Sequence, residues 1–305
     1  MKLAGRYETE MPLAVGGMGE IWEATDLRLA RGVAVKLIAD CLQGDSGRAR
    51  RRFYREARVL ARLHHQGIPA LYDFGDEGGT LFMVMELVSE AVTLRDMIAE
   101  RGTDLLPVPW AALIGAQLCA ALSAAHHAGL VHRDLTPSNV VFGRDGTVHV
   151  LDFGVAAAMA ERPSDFSIIT RPGEAPGTLF YTAPELDGYQ HANVATDLYS
   201  VGCVLYELLA GHRVFVADTV LDEAVRHQSE EEAPPLIRDD VPDDLERLIY
   251  SLLSKHPGDR PASGAVVSRA LLAHAKDFPP LPGFYERLPD SPDHLYATAI
   301  AALSK

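Results

Sequence analysis

Three side chains in one short stretch have the right types and spacing for group-transfer chemistry. Asp134 offers a carboxylate that can take a proton from a hydroxyl, while Asn139, five residues on, and Asp152, eighteen on, offer hard oxygens of the kind that hold a divalent cation. They fall in His132-Arg133-Asp134-Leu135-Thr136-Pro137-Ser138-Asn139 and in Asp152-Phe153-Gly154. Any one of them alone could be a capping or turn residue. Their order and spacing make them a set.

A second set lies upstream. Leu13-Ala14-Val15-Gly16-Gly17-Met18-Gly19-Glu20-Ile21 is a glycine cluster between two strand-like runs, and glycines let backbone N–H groups approach phosphates with no Cβ in the way. By itself such a cluster is often only a turn. Val33-Ala34-Val35-Lys36 follows, and strand alternation puts Ala34 and Lys36 on one face. Lys36 is the only lysine between Lys2 and Lys255, although arginine is abundant throughout. A compact ammonium suits phosphate in a way that a planar guanidinium does not replace. Glu56, one turn before Leu60 on the single helix expected in this region, can pair with that ammonium.

These residues need a frame. The first 88 residues read mainly as strands, over Tyr7 to Val15, Glu20 to Thr25, Gly32 to Ile38, Ala70 to Gly75 and Leu81 to Leu87. One helix, Arg48 to Leu63, interrupts them, with Phe53, Ala57, Leu60 and Leu63 at three- to four-residue spacing. Helices then take over at Leu94 to Arg101, Trp110 to Ala128, Ala195 to Leu209, Leu221 to Gln228, Asp243 to Ser254 and Ser263 to His274. The pattern implies an α+β chain, a small antiparallel sheet lobe with one helix plus a larger mainly helical lobe, with ligand bound in the cleft between them. The expected divisions are 1–88, 89–275 and a proline-rich tail at 276–305 that ends in a short helix at Leu295 to Leu303.

Composition narrows the function classes. The 305-residue chain carries a formal charge of -14, with acidic runs at Glu230 to Glu232 and Asp239 to Asp244, which disfavours nucleic acid as a partner. Cys41, Cys119 and Cys203 form neither a disulfide framework nor a zinc ribbon, so a reducing cytoplasm is expected. Arg6, Glu8 and Glu10 interrupt any apolar signal core. The most apolar windows, Ala111 to Ala125 and Val201 to Ala210, contain Gln117 and Glu207 and read as buried core helices rather than membrane spans. His64-His65 and His126-His127 have too few neighbouring ligands for a metal site and read as loop and helix-end residues.

Over about residues 7 to 275 the motifs resemble those of bacterial, eukaryotic-like Ser/Thr protein kinase catalytic domains. Besides the segments above, Ala183-Pro184-Glu185, Asp197-Leu198-Tyr199-Ser200-Val201-Gly202 and Gly258-Asp259-Arg260-Pro261 match, in the family's order. The resemblance implies a two-lobed kinase fold that transfers the γ-phosphoryl group of ATP, with Mg2+ or Mn2+, to Ser or Thr of a protein substrate. By resemblance Asp134 is the catalytic base, Lys36 is held on the α- and β-phosphates by Glu56, and Asn139 and Asp152 ligate the metal. The nucleotide would be lined by Leu13, Ala14, Gly16, Gly17, Met18, Gly19, Ile21, Ala34, Met85, Glu86, Val88 and Val141. Met85 would be the gatekeeper, with the backbone of Glu86 and Val88 meeting adenine.

The same resemblance assigns structural roles. His132 and Phe153 would stack in a spine with Leu60 and Leu71, Glu185 would pair with Arg260, and Asp197 would anchor the catalytic loop. Pro137 and Gly177-Thr178 lie on the Ser/Thr side of the family, with Thr178 meeting Asp134. Arg133 implies control by phosphorylation at Ser164, Ser167 or Thr170, and a second copy of the chain is the candidate partner for trans-autophosphorylation. Arg48, Arg50, Arg51, Arg52, Arg55, Arg58 and Arg62 could receive the same phosphate, although a solvated helix face is the simpler reading.

The departures are Ala14, where the family has its first glycine, and Thr136, where it has a lysine that stabilises charge on the transferring phosphoryl group. Reduced but retained activity is expected, with an arginine or the metal carrying more of the load. The competing readings are an ATP-binding pseudokinase scaffold and a small-molecule phosphotransferase, and the latter is not expected to have Ala183-Pro184-Glu185.

Overall fold

The structure is a computed structural model that describes residues 1–16, 19–38, 46–89, 91–102, 104–143, 145–153, 176–186, 192–279 and 281. The first lobe is built on an antiparallel sheet of β1 (Lys2–Leu3), β2 (Tyr7–Gly16), β3 (Gly19–Asp26), β4 (Arg31–Ile38), β5 (Leu71–Glu77) and β6 (Thr80–Met85), in the order β1-β2-β3-β4-β6-β5. Alternation sorts its side chains as expected. Val33 and Val35 enter a cluster with Leu3, Tyr7, Ala24, Phe82 and Val84 on one face, which leaves Ala34 and Lys36 on the other.

Helix α1 (Ser46–Leu60) packs Phe53 and Tyr54 edge-on against Phe74 of β5. Its apolar stripe faces the sheet and Arg51, Arg55 and Arg58 face solvent. The helix stops at Leu60 rather than Leu63, because the Arg62 and Leu63 amides bond to residues only three back and tighten the chain into the turn at His65.

The second lobe begins with β7 (Val92–Thr93) and α2 (Leu94–Arg101), followed by α3 (Val108–His127), α4 (Val194–Ala210), α5 (Val220–Gln228), α6 (Asp243–Leu252) and α7 (Gly264–Leu272). Thr93 caps α2 and Asn193 forms a capping box with Thr196 on α4. Helix α3 is long and apolar enough to cross a membrane, yet 83% of that window is buried inside the protein, so it is a core helix. Gly115 lets α4 approach it closely, since a Cβ there would sit 2.6 Å from Leu205.

A small second sheet, β7 with β8 (Val140–Phe142) and β9 (Val148–Val150), lies where the lobes meet. One apolar core runs from Phe53, Leu60 and Leu71 through Phe153 into the helices. Residues Phe278 and Pro279 pack on the second lobe at Trp110, whose indole N–H donates to Pro279 O at 2.7 Å and whose ring meets Phe278 at 4.8 Å. Residues 282–305, with the helix predicted at Leu295 to Leu303, lie outside the described residues, as do Cys41, Gly17, Met18, Gly154, Ser164, Ser167, Thr170 and the Thr178 side chain.

Candidate active site

The spacing between Asn139 and Asp152 is a hairpin. A 3-10 turn at Pro137–Asn139 runs into β8, which pairs antiparallel with β9 in the register Val140 to Val150. The Leu151 amide then bonds to Asn139 O at 2.8 Å, so the hairpin brings its two ends together and sets Asp152 beside the catalytic loop. Buried Gln117 of α3 clamps the loop end of this hairpin, bonding to Gly146 O at 2.9 Å and accepting from Val148 N at 3.2 Å.

The catalytic loop is held from below by Asp197 of α4. Its buried carboxylate accepts the His132 amide at 2.8 Å and the Arg133 amide at 2.9 Å. These bonds hold Arg133 at φ 71°, a left-handed conformation that costs an arginine roughly 1–3 kcal/mol and persists only when its surroundings impose it. Asp152 is likewise at φ 60°. Sequence reasoning missed a third partner. His126, read above as a helix-end residue, has a side chain only 6% exposed and bonds to Asp197 through Nε2 at 2.7 Å. Its place on the last turn of α3, six residues before His132, was the available signal.

Within the loop the His132 ring is fixed at both nitrogens. Nδ1 accepts the Asp134 amide at 3.3 Å and Nε2 donates to Leu151 O at 2.8 Å, while the ring lies 5.0 Å from that of Phe153. The Asn139 side-chain amide donates to Asp134 O at 2.7 Å and to Asp134 Oδ2 at 3.4 Å, which leaves its carbonyl oxygen for another ligand. Thr136 is 7% exposed and makes no capping bond to the turn it precedes.

The opposite wall comes from the first lobe. β4 places buried Lys36 opposite Ile21 and Met83, and Ala34 opposite Met85. After β6 the Glu86 N–H is taken by Ala70 O at 2.9 Å, so the group that Glu86 can offer a ligand is its carbonyl. Leu13, Ala14 and Gly16 lie on β2, Gly19 and Ile21 on β3, and Val141 on β8.

The sequence profile of the protein kinase domain matches residues 7–274. The chain belongs to the protein kinase domain family. It is 38% identical over 286 residues to serine/threonine-protein kinase PknA of Mycobacterium tuberculosis, covering 92% of this chain and 64% of PknA. It is 37% identical over 276 residues to PknB of Mycolicibacterium smegmatis, covering 88% of this chain and 43% of PknB. The chain thus spans about two thirds or less of the length of these curated relatives. Among solved structures, the kinase domain of Mycobacterium tuberculosis PknI superposes with a TM-score of 0.70 at 27% identity, over 90% of this chain and 98% of that one.

One pairing in this kinase domain differs from the expectation. Lys36 does not pair with Glu56; its Nζ lies 2.8 Å from Asp152 Oδ1, while Glu56 Oε1 lies 3.6 Å from Arg133 Nη1. The cause is which cation each carboxylate meets. The hairpin delivers Asp152 to β4, whereas Glu56 on α1 meets Arg133 of the catalytic loop. Burial pushes the Glu56 carboxyl up, and Arg133, Arg55 and Arg52 oppose that push. The two cations and two carboxylates are thus matched as Lys36 with Asp152 and Arg133 with Glu56.

The supporting pairs stand as read from sequence. Arg260 grips Glu185 with two bonds, of 2.7 and 2.8 Å, and the two side chains are 0% and 4% exposed. Arg260 also donates to Ala195 O and Ser254 O, each at 2.8 Å, so the charges are satisfied on all sides.

Proposed function

We propose that this kinase domain transfers the γ-phosphoryl group of ATP to Ser and Thr hydroxyls of proteins. The observation that supports the reading is that Asn139 bonds to Asp134 within the catalytic loop, Leu151 bonds to Asn139 across the hairpin, and Asp152, the next residue, pairs with Lys36 of β4. Asp134 takes the hydroxyl proton and Lys36 holds the α- and β-phosphates. Glu56 steadies Lys36 by exchanging its Arg133 partner for the ammonium. Leu13, Ala14, Gly16 to Gly19, Ile21, Ala34, Met85, Glu86, Val88 and Val141 surround the nucleotide.

Oxygen donors from Asp152 and Asn139 suit a hard cation, Mg2+ or Mn2+. When bound, the metal neutralises charge on the phosphates. Residues 1–88 serve as the nucleotide lobe, 89–275 as the acceptor lobe and 276–305 as a tail. The free, buried thiols of Cys119 and Cys203 fit a reducing cytoplasm. A second copy of the chain is the candidate enzyme that transfers the γ-phosphoryl group of ATP to Ser164, Ser167 or Thr170, leaving ADP.

The test is phosphoamino-acid analysis of a mixed protein substrate labelled with γ-labelled ATP. Phosphoserine and phosphothreonine are expected. ATP binding without transfer would carry the scaffold reading instead, and labelled small-molecule acceptors alone would carry that of a small-molecule phosphotransferase.

A further inference from the structure

Ahead of Ala183-Pro184-Glu185, two neighbouring aromatic residues are each held by an arginine–carboxylate pair from elsewhere in the second lobe. Phe180 lies under the Arg213 guanidinium, 3.9 Å from its ring centre, and Arg213 is bonded to buried Glu223 of α5 at 2.5 and 2.9 Å. Tyr181 donates its hydroxyl proton to Glu207 of α4. Arg95 of α2 donates to both, to Glu207 Oε1 at 2.8 Å and to the Tyr181 hydroxyl. The Tyr181 phenol is pushed well up by burial beside Glu207, so it acts as a donor.

Exposure orders the three groups. The Glu207 side chain is 3% exposed and that of Arg95 is 35% exposed, so the guanidinium stands between a buried anion and solvent. The place is tied to the chemistry through one helix. α4 holds the catalytic loop through Asp197, the Tyr181 carbonyl through the Ser200 hydroxyl at 2.7 Å, and the Tyr181 hydroxyl through Glu207. Asp197 and Ser200 are about one helical turn apart, so the Phe180-Tyr181 segment is built against the same beam as Asp134.

We propose that Arg95 is a specificity-determining residue: it fills the anionic site of Glu207 with a guanidinium of the chain's own, so that acceptor peptides are not selected for a basic side chain there. The inference rests on the proposed transfer to protein hydroxyls, with the segment ahead of Ala183-Pro184-Glu185 taken as the seat of the acceptor peptide. Removing Arg95 leaves a buried carboxylate without its cation, a strongly unfavourable state that a guanidinium from the peptide can relieve.

The experiment measures kcat/KM for a serine peptide with Arg, Ala or Glu placed in turn at each of five positions before the acceptor. Wild type is expected to differ by less than threefold between Arg and Ala at every position. In Arg95→Ala, activity on the alanine peptide falls and arginine at one position restores it by at least tenfold, while Arg95→Lys behaves as wild type. Adding Glu207→Gln to Arg95→Ala abolishes the preference. Should Arg95→Ala not fold, Arg95→Gln, whose amide still donates to Glu207, is expected to show at least a threefold gain for arginine. A wild type that already favours arginine tenfold overturns the proposal, as do variants whose rates on arginine and alanine peptides move in parallel. No transfer by wild type to any peptide would strike the proposed function first, and this inference with it.

Discussion

At the residue scale the cleft is a problem of matching charges. Lys36, Arg133, Glu56 and Asp152 were all legible in the sequence as functional, but their partners were not, because spacing fixes which side chains reach the cleft and not which cation each carboxylate meets. Thr136 is the other open position. Buried and neutral beside Asp134's loop, it cannot supply the charge that a lysine would give the transferring phosphoryl group. Thr136→Lys is therefore expected to raise kcat in steady-state assays, and by tenfold if it recovers about 1.4 kcal/mol of the barrier. An unchanged or lower kcat would count against this account of the position.

Elements explain why distant residues agree. The hairpin β8–β9 turns a sequence interval into a contact between Asn139 and Leu151, and α4 carries the catalytic loop, Glu185 and Tyr181 on one helix. Strand alternation placed Ala34 and Lys36 correctly, and apolar spacing placed each α-helix among the described residues within a few residues. The two-residue strands β1 and β7 and the three-residue strands β8 and β9 escaped that reading because so few residues carry no period. His126 escaped it because a polar residue at a helix end usually faces water, and only the fold reveals Asp197 beside it.

The Glu185–Arg260 pair gives this scale its stability test. Arg260→Met leaves a buried carboxylate unpaired and is expected to cost about 3–5 kcal/mol in denaturant unfolding. A loss under 1 kcal/mol would mean that the pair is dispensable.

At the scale of the whole molecule, stability is expected to depend on pH through buried histidines. Burial, with Lys255 and Arg213 nearby, lowers the His227 pKa from 6.5 to about 3, and the neutral ring accepts the Tyr199 hydroxyl at 2.9 Å. A base held below its ordinary value contributes stability that is present above pH 6.5 and lost as pH falls toward 3. His65 and His149, also lowered by burial, act in the same direction. Thermal unfolding should therefore show a Tm that declines below pH 6.5, with a shallower decline in His227→Gln. Equal slopes would remove His227 from the account. The exposed acidic runs at Glu230 to Glu232 and Asp239 to Asp244 were legible from composition, whereas the seating of Phe278 and Pro279 on Trp110 depends on a packing site that no local pattern announces.

The most direct measurement of the central claim is transfer of labelled γ-phosphate from ATP to a protein substrate by wild type, Lys36→Met and Asp134→Asn, purified in parallel. Wild type is expected to label serine and threonine, and each variant to fall by at least a hundredfold, or about 2.7 kcal/mol. Equal labelling by all three would contradict it, because the phosphate would then be moving without the cleft that Lys36 and Asp134 define.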